Sequence, residues 1–215
     1  MNLFDVLSKS ISEEARSGRI LGVVVGVVTN NQDPDNLGRV KVQFPWLSDV
    51  DESSWARIAG PMAGDQRGFC FLPEVGDEVL VAFEHGDVRF PYVLGSLWNG
   101  KDAPPFTNGD GKNNVRIIKS RSGHVVKLND EDGKETIEII DKSQKNSIVI
   151  DTAKNTITIT TDKDITFSAA NGTIKLDAQN IDINGSQGAK VKSGGSMNVE
   201  ASGTMTVKGS TVNIN

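Results

Sequence analysis

The sequence predicts an all-β protein in three parts: a short N-terminal helix, a small β-barrel, and a long rod of short strands wound from several copies of the chain. Three observations carry this reading. A β-branched apolar run, "ILGVVVGVV" at 20–28, opens a series of six short strand patterns that ends by residue 97. Proline disappears after Pro105. From residue 113 onward, apolar residues two apart recur about every eight residues.

Residues 2–16, "NLFDVLSKSISEEAR", form the helix. Leu3, Leu7, Ile11 and Ala15 are four apart and fall on one stripe, with Phe4 beside it. Gly18 ends it. A helix this short is marginal alone in water, so its stripe docks on its own protein or on a neighbour.

Residues 19–100 form the barrel. Strands are expected near 20–29, 38–44, 55–60, 67–72, 78–84 and 90–97, separated by turns such as "NNQDPDNLG", "GPMAGDQ", "PEVGD" and "EHGDVRFP". Short strands at this density suit a small closed or nearly closed barrel. Residues 101–112, "KDAPPFTNGDGK", form a linker that Pro104 and Pro105 stiffen.

Residues 113–215 form the rod. They hold no Trp or Tyr, and Phe167 is their sole aromatic. The pairs are Ile148 and Ile150, Ile157 and Ile159, Ile165 and Phe167, Ile174 and Leu176, Ile181 and Ile183. They continue as Met197 and Val199, Met205 and Val207, Val212 and Ile214. Residues from Ile157 to Val207 in this series are the expected trimer core. Each repeat offers two mid-sized side chains on one face, too little to fill a two-sheet layer of about 10 Å. Three copies would supply three faces around a narrow axis. The expectation is therefore an intertwined triple-stranded β-helix, a homotrimer in which each chain's strands pair with those of the others. With roughly 13 layers stacked about 4.8 Å apart, the prism would be on the order of 60 Å long.

Composition excludes several functions. Net charge is −5. Residues 19–105 carry 7 basic and 12 acidic residues, and residues 113–215 carry 13 and 12. Neither part has the basic excess that phosphate backbones require. Cys70 is the sole cysteine, so no disulfide forms within one chain. The N-terminus shows no basic stretch followed by an apolar one, as a secretory signal would.

Catalytic constellations are equally thin. His85 lies in the turn "EHGD" and His124 in "SRSGHVVKL", neither beside a recognisable nucleophile or metal-ligand motif. Asp130, Glu131, Asp132 and Gly133 read as a solvated hairpin turn rather than an acid pair. "NGDGK" lacks the spacing of a phosphate-binding loop. Trp46, Trp55 and Trp98 are read as core or subunit contacts rather than base- or sugar-stacking platforms. No catalytic residue, metal site or cofactor is expected.

The strings "DPDNLGRVKVQFPWLSD" and "SWARIAGPMAGDQRGFCFLPEVGDEVLVAFEHGDVRFPYVLGSLWNG" resemble the oligonucleotide/oligosaccharide-binding (OB) fold domain of contractile-tail central spikes. That family includes phage baseplate assembly protein V and the VgrG spikes of type VI secretion. The resemblance covers residues 20–100 closely, and the repeats that follow look like the same family's needle. It implies a structural spike, not an enzyme, that joins a baseplate hub to a tip and pierces a cell envelope. It implies a particle-bound location at the baseplate centre after synthesis in the cytoplasm. A hub domain before the barrel and a hydrolase after it, both present in larger members, are not expected in this chain, so the hub is expected as a separate protein, contacting Leu3, Phe4, Leu7 and Ile11 and the barrel's proximal rim. Some short members end in a His-x-His metal apex. Here the last histidine is His124, so the resemblance implies instead a separate Pro-Ala-Ala-Arg (PAAR) tip protein, meeting Thr211, Val212, Asn213, Ile214 and Asn215. Two other readings remain at this stage: a tailspike-like polysaccharide binder or depolymerase, and an OB-fold nucleic-acid binder.

Overall fold

The structure is a computed structural model and describes residues 19–214. The expected helix at 2–16 and Asn215 lie outside the described residues. The described residues carry β-strands and no helix beyond one short 3-10 turn, and they divide into two compact units, one through Asp162 and one from Lys163.

The first unit begins with the barrel. Its strands are β1 (Val23–Asn30), β2 (Lys41–Gln43), β3 (Arg57–Ile58), β6 (Glu78–Phe83) and β7 (Pro91–Ser96). They run side by side in the order β2-β1-β6-β7-β3. All pairings are antiparallel except β3 with β7. The ring closes where Val40 and Ala56 exchange backbone hydrogen bonds of 3.1 and 2.7 Å, joining the approach to β2 with the approach to β3. This five-stranded closed ring with one parallel contact is the barrel that the resemblance implies. A small hairpin, β4 (Ala63–Gly64) and β5 (Arg67–Gly68), projects between β3 and β6.

Alternation explains the barrel's core. Val28, Val40, Val42, Val79, Val81 and Val93 are fully enclosed, with Ala56, Phe44 and Phe83 completing the cluster. Phe44 and Phe83 meet in a tilted ring contact at 5.6 Å between centroids. Gly26 sits inside the wall because nothing larger fits: a Cβ there would lie 2.3 Å from Val42 Cγ1. The loop from β1 to β2 is held by Asp33. Its carboxylate accepts the backbone N–H groups of Asp35, Leu37 and Arg39 and the Arg39 guanidinium. That is the physical content of "DPDNLGR".

After the linker the chain folds into a five-stranded antiparallel meander. Its strands are β8 (Val115–Lys119), β9 (Val125–Asn129), β10 (Thr136–Ile140), β11 (Ser147–Asp151) and β12 (Thr156–Thr160), in sequential order. Every pairing lies within the chain, whereas the repeat pattern led us to expect pairing between chains along the whole rod. The physical reason is in the connections. Ser120–Gly123, Asp130–Gly133 and Asp141–Asn146 are tight polar turns that reverse the strand, with Gly123, Gly133 and Gln144 at positive φ. Arg121 also pairs with Glu74 at 3.0 Å, tying the first meander turn to the barrel.

The second unit, from Lys163, contains no assigned strand among its described residues, and all of them are exposed.

Candidate assembly surface

The meander has two unlike faces, because cross-strand partners point to the same side. One face mixes polar pairs with half-buried Val115, Ile117, Val125, Ile140 and Val149. Lys127 bridges to Glu138 at 3.1 Å, and Thr136 donates to the same carboxylate at 2.7 Å. The other face is aliphatic. One row runs Ile118, Val126, Ile139, Ile148, Ile159. A second runs Leu128, Ile137, Ile150, Ile157, continued on β8 by Arg116. Arg116 closes the row with charge, pairing with Asp130 at 2.7 Å. All nine aliphatic side chains are exposed. An antiparallel sheet can show water one polar face, but an aliphatic face of this extent marks an interaction site.

The turns that frame this face are rigidly capped. Asp141 takes hydrogen bonds from the Ser143 hydroxyl at 2.8 Å and from Asn146 Nδ2 at 2.9 Å. These hold its carboxyl down at about 2, the Ser143 bond most of all. Lys145 reaches Asp162 at 2.8 Å.

Of the expected trimer-core residues, Ile157 and Ile159 fall on this surface and the others lie in the second unit. Ile157 and Ile159 lie on the aliphatic face with Ile148 and Ile150. In the second unit the pairs recur in one environment. The first member of each (Ile165, Ile174, Ile181, Met197, Met205, Val212) is 48–54% exposed, and the second (Phe167, Leu176, Ile183, Val199, Val207, Ile214) is 68–91% exposed. A repeating exposure is what a repeating backbone produces. It also reveals a pair the sequence reading missed. Val191 is 79% exposed, like the second members, and Ala189 stands two before it, eight residues after Ile181 and eight before Met197. Alanine is too small to have registered as apolar punctuation. The expected tip residues Thr211, Val212, Asn213 and Ile214 are exposed. The expected hub residues Leu3, Phe4, Leu7 and Ile11 lie outside the described residues.

The candidate chemical groups do not converge. His85 sits in a short 3-10 turn at φ 50°. His124 is used structurally: its Nδ1 accepts the Lys142 N–H at 3.2 Å, and its own N–H donates to Ser120 Oγ at 3.0 Å. Of the three acids in the Asp130–Asp132 run, Asp130 and Glu131 are spent on Arg116 and Lys134. Among the described residues no group of three His, Cys, Asp or Glu side chains could hold a metal ion. None of the tryptophans is in the buried core. Trp46 donates its indole N–H to the Val25 carbonyl at 3.2 Å, and Trp55 lies under the cations of Arg39 and Lys41. Among the described residues no helix is long and apolar enough to cross a membrane.

Residues 24–98 match the family model described as the type VI secretion system/phage-baseplate injector OB domain. The type VI secretion system spike protein VgrG3 of Vibrio cholerae serotype O1 is 37% identical over 99 residues, 44% of this chain and 10% of that protein. The spike protein VgrG5 of Pseudomonas aeruginosa is 38% identical over 96 residues, 41% of this chain and 12% of that protein. The actin cross-linking toxin VgrG1 of Vibrio cholerae serotype O1 is 33% identical over 128 residues, 56% of this chain and 12% of that protein. The match thus spans about a tenth of each of these relatives.

Proposed function

We propose that this chain, whose barrel belongs to the VgrG-like contractile-tail spike family, is the homotrimeric central spike of a contractile phage tail or related injection machine. The observation that carries the reading is the uncovered aliphatic face of β8–β12, followed by a second unit whose apolar pairs recur without a partner strand. Two more copies of the same surface complete both. Three meander faces turned to one axis bury Ile118, Val126, Ile139, Ile148 and Ile159 against their equivalents. In the trimer, the backbone beyond Lys163, without strand pairing among the described residues, forms strands whose hydrogen bonds come from neighbouring chains.

The role of such an assembly is mechanical. Strands bonded around an axis leave no long free edge and resist bending. The barrels form the broad base that meets a baseplate hub, and the narrow rod leads into the target envelope. A PAAR tip protein on the Thr211–Ile214 residues of three chains is part of this reading. The activity named for the toxin relative belongs to that protein, nine-tenths of which lies beyond the match. Neither the barrel nor the rod has a basic excess that would favour nucleic-acid binding.

The deciding experiment is the mass in solution. Light scattering should return three times the 23.1 kDa chain. A monomer at micromolar concentration would overturn the reading.

A further inference from the structure

The meander has two edges of unlike character. β8 carries Arg116 and Lys119, charges that discourage a further strand. β12 reads Thr-Ile-Thr-Ile-Thr, with no charge, proline or glycine, and all five residues are exposed. The ladder shows which of its backbone groups lie open. Asp141 donates to the Asn146 carbonyl and Thr152 to the Glu135 carbonyl, so β11 uses its even-numbered residues on β10. Its odd-numbered residues, Ser147, Val149 and Asp151, therefore bond to Thr160, Thr158 and Thr156. The N–H and C=O groups of Ile157 and Ile159 turn to the open edge.

The hairpin series stops at this edge for a local reason. Each connection from β8 to β12 carries one residue at positive φ: Gly123, Gly133, Gln144 and Asn155 in turn. The next connection, Thr161 to Asp164, has none, and it holds no Gly or Asn. Its first residues are tied to the start of β11, the strand on the other side from the open edge. Thr161 Oγ1 and the Asp162 N–H both donate to Asn146 Oδ1, at 2.9 and 3.1 Å, and Lys145 reaches Asp162 at 2.8 Å. The strand pattern nevertheless continues. "DITFS" at 164–168 places Ile165 and Phe167 eight residues after Ile157 and Ile159.

We infer that β12 of each copy is extended by residues 164–168 of a neighbouring copy. This contact presupposes the trimer proposed above and fixes the level at which pairing within a chain gives way to pairing between chains. It joins an edge to an unlike segment, and every copy owns one of each. Three such contacts around an axis close with neither left over. Ile165 and Phe167 then stand beside Ile157 and Ile159 on the aliphatic side, and Thr166 beside Thr158 on the other. Thr158 and Thr166 are the middle residues of their segments, so they stand opposite each other in either strand direction, about 5 Å apart at Cα.

That separation admits a disulfide, and both positions are exposed. In a Cys70→Ser background, Thr158→Cys and Thr166→Cys are oxidised and run on a denaturing gel without reductant. The expected product is three 23.1 kDa chains linked together with no free thiol. One chain with no free thiol would mean that 164–168 returns to its own β12, and two chains with no free thiol would mean a reciprocal exchange. Either would overturn the inference, as would free thiols in a protein that light scattering still finds trimeric. A monomer by light scattering would overturn it together with the trimer. If the variant does not fold, hydrogen exchange in the unaltered protein decides. The Ile157 and Ile159 amides should exchange at least roughly tenfold more slowly than in a synthetic peptide of residues 153–162, as those of Thr156, Thr158 and Thr160 do. Exchange of these two at the peptide's rate, beside protected threonines, would leave the edge bare and overturn the inference.

Discussion

The Arg39 guanidinium grips both carboxylate oxygens of Asp33, Nε to Oδ2 at 2.8 Å and Nη2 to Oδ1 at 2.7 Å. Asp33 is the one buried polar or charged residue among those described, and it also accepts three backbone N–H groups of its own loop. Asp33→Asn keeps the size but removes the charge that faces the guanidinium. The melting temperature should fall by on the order of 5 °C or more, with the barrel loop at 33–39 gaining hydrogen exchange first. An unchanged melting curve would show that the clasp is dispensable.

The same clasp sets an acid limit. The Arg39 side chain holds Asp33 well below the ordinary carboxylate range. The Arg89 guanidinium holds Asp87 at about 2, and the Ser143 hydroxyl leads in holding Asp141 at about 2. A carboxyl lowered on folding adds stability that is fully present above its unfolded value, about 3.9, and is lost as pH falls through its folded value. Melting temperature should therefore be flat on the acid side from pH 7 to 5 and drop between about pH 4 and 2. Asp33→Asn should show a shallower drop. A fall centred on pH 6 to 7 would place control in the histidines instead.

Gly26 offers a purely steric test. Its added Cβ would sit 2.3 Å from Val42 Cγ1 and 3.0 Å from the Gln43 carbonyl, on a strand paired with β6 at Gly26 and with β2 from Val27 onward. Gly26→Ala should cost about 1–3 kcal/mol by overpacking a core that cannot spread. Chemical denaturation gives the number directly. Gly95→Ala, where nothing lies within 4 Å, is the control.

Much of this architecture is legible in the sequence. The run at 20–28 marks β1, and "DEVLVAF" alternates as β6 does, with Val79, Val81 and Phe83 inward. The hairpin at Ala63–Gly68 is legible only in part: the strand expected near 67–72 is cut to Arg67–Gly68, and its partner Ala63–Gly64 falls in the stretch expected as a turn, since two residues of Ala and Gly carry no strand pattern. The meander's in-chain pairing escapes for another reason. Period-two alternation says which face a residue takes, but not whether the next strand belongs to the same chain. Turn geometry decides that: Asn155 at φ 56° and Gln144 at φ 61° close hairpins that composition suggests only weakly.

The aliphatic face can be charged deliberately. Ile157→Asp with Ile159→Asp adds two acids to the outermost strand of that face, and six in the proposed trimer. Each would be buried without a partner at a cost of several kcal/mol. The doubly substituted chain should sediment as one chain instead of three, with the barrel still folded by circular dichroism. A soluble trimer with unchanged melting temperature would move the subunit contact off this face.

The pair Ala189 and Val191 makes the sharpest test of the second unit, because the intervening residues invert the chemistry. The local sequence is Ala189, Lys190, Val191, Lys192, so apolar and cationic side chains alternate. If the eight-residue repeat runs unbroken from Ile181 to Met197, residues 189 and 191 share the side of Ile181 and Ile183, and both lysines share the other. Val191→Asp would then set three carboxylates around the axis and lower the trimer's melting temperature steeply or disperse the rod. Lys190→Asp, one residue away and a larger change of charge, should shift it by about 1 °C or less, as surface substitutions do. The comparison removes net charge as an explanation, since the milder change in charge is expected to do the greater damage. Equal effects of the two substitutions would mean that the repeat breaks between Ile183 and Met197, with a loop rather than a strand at 189–191.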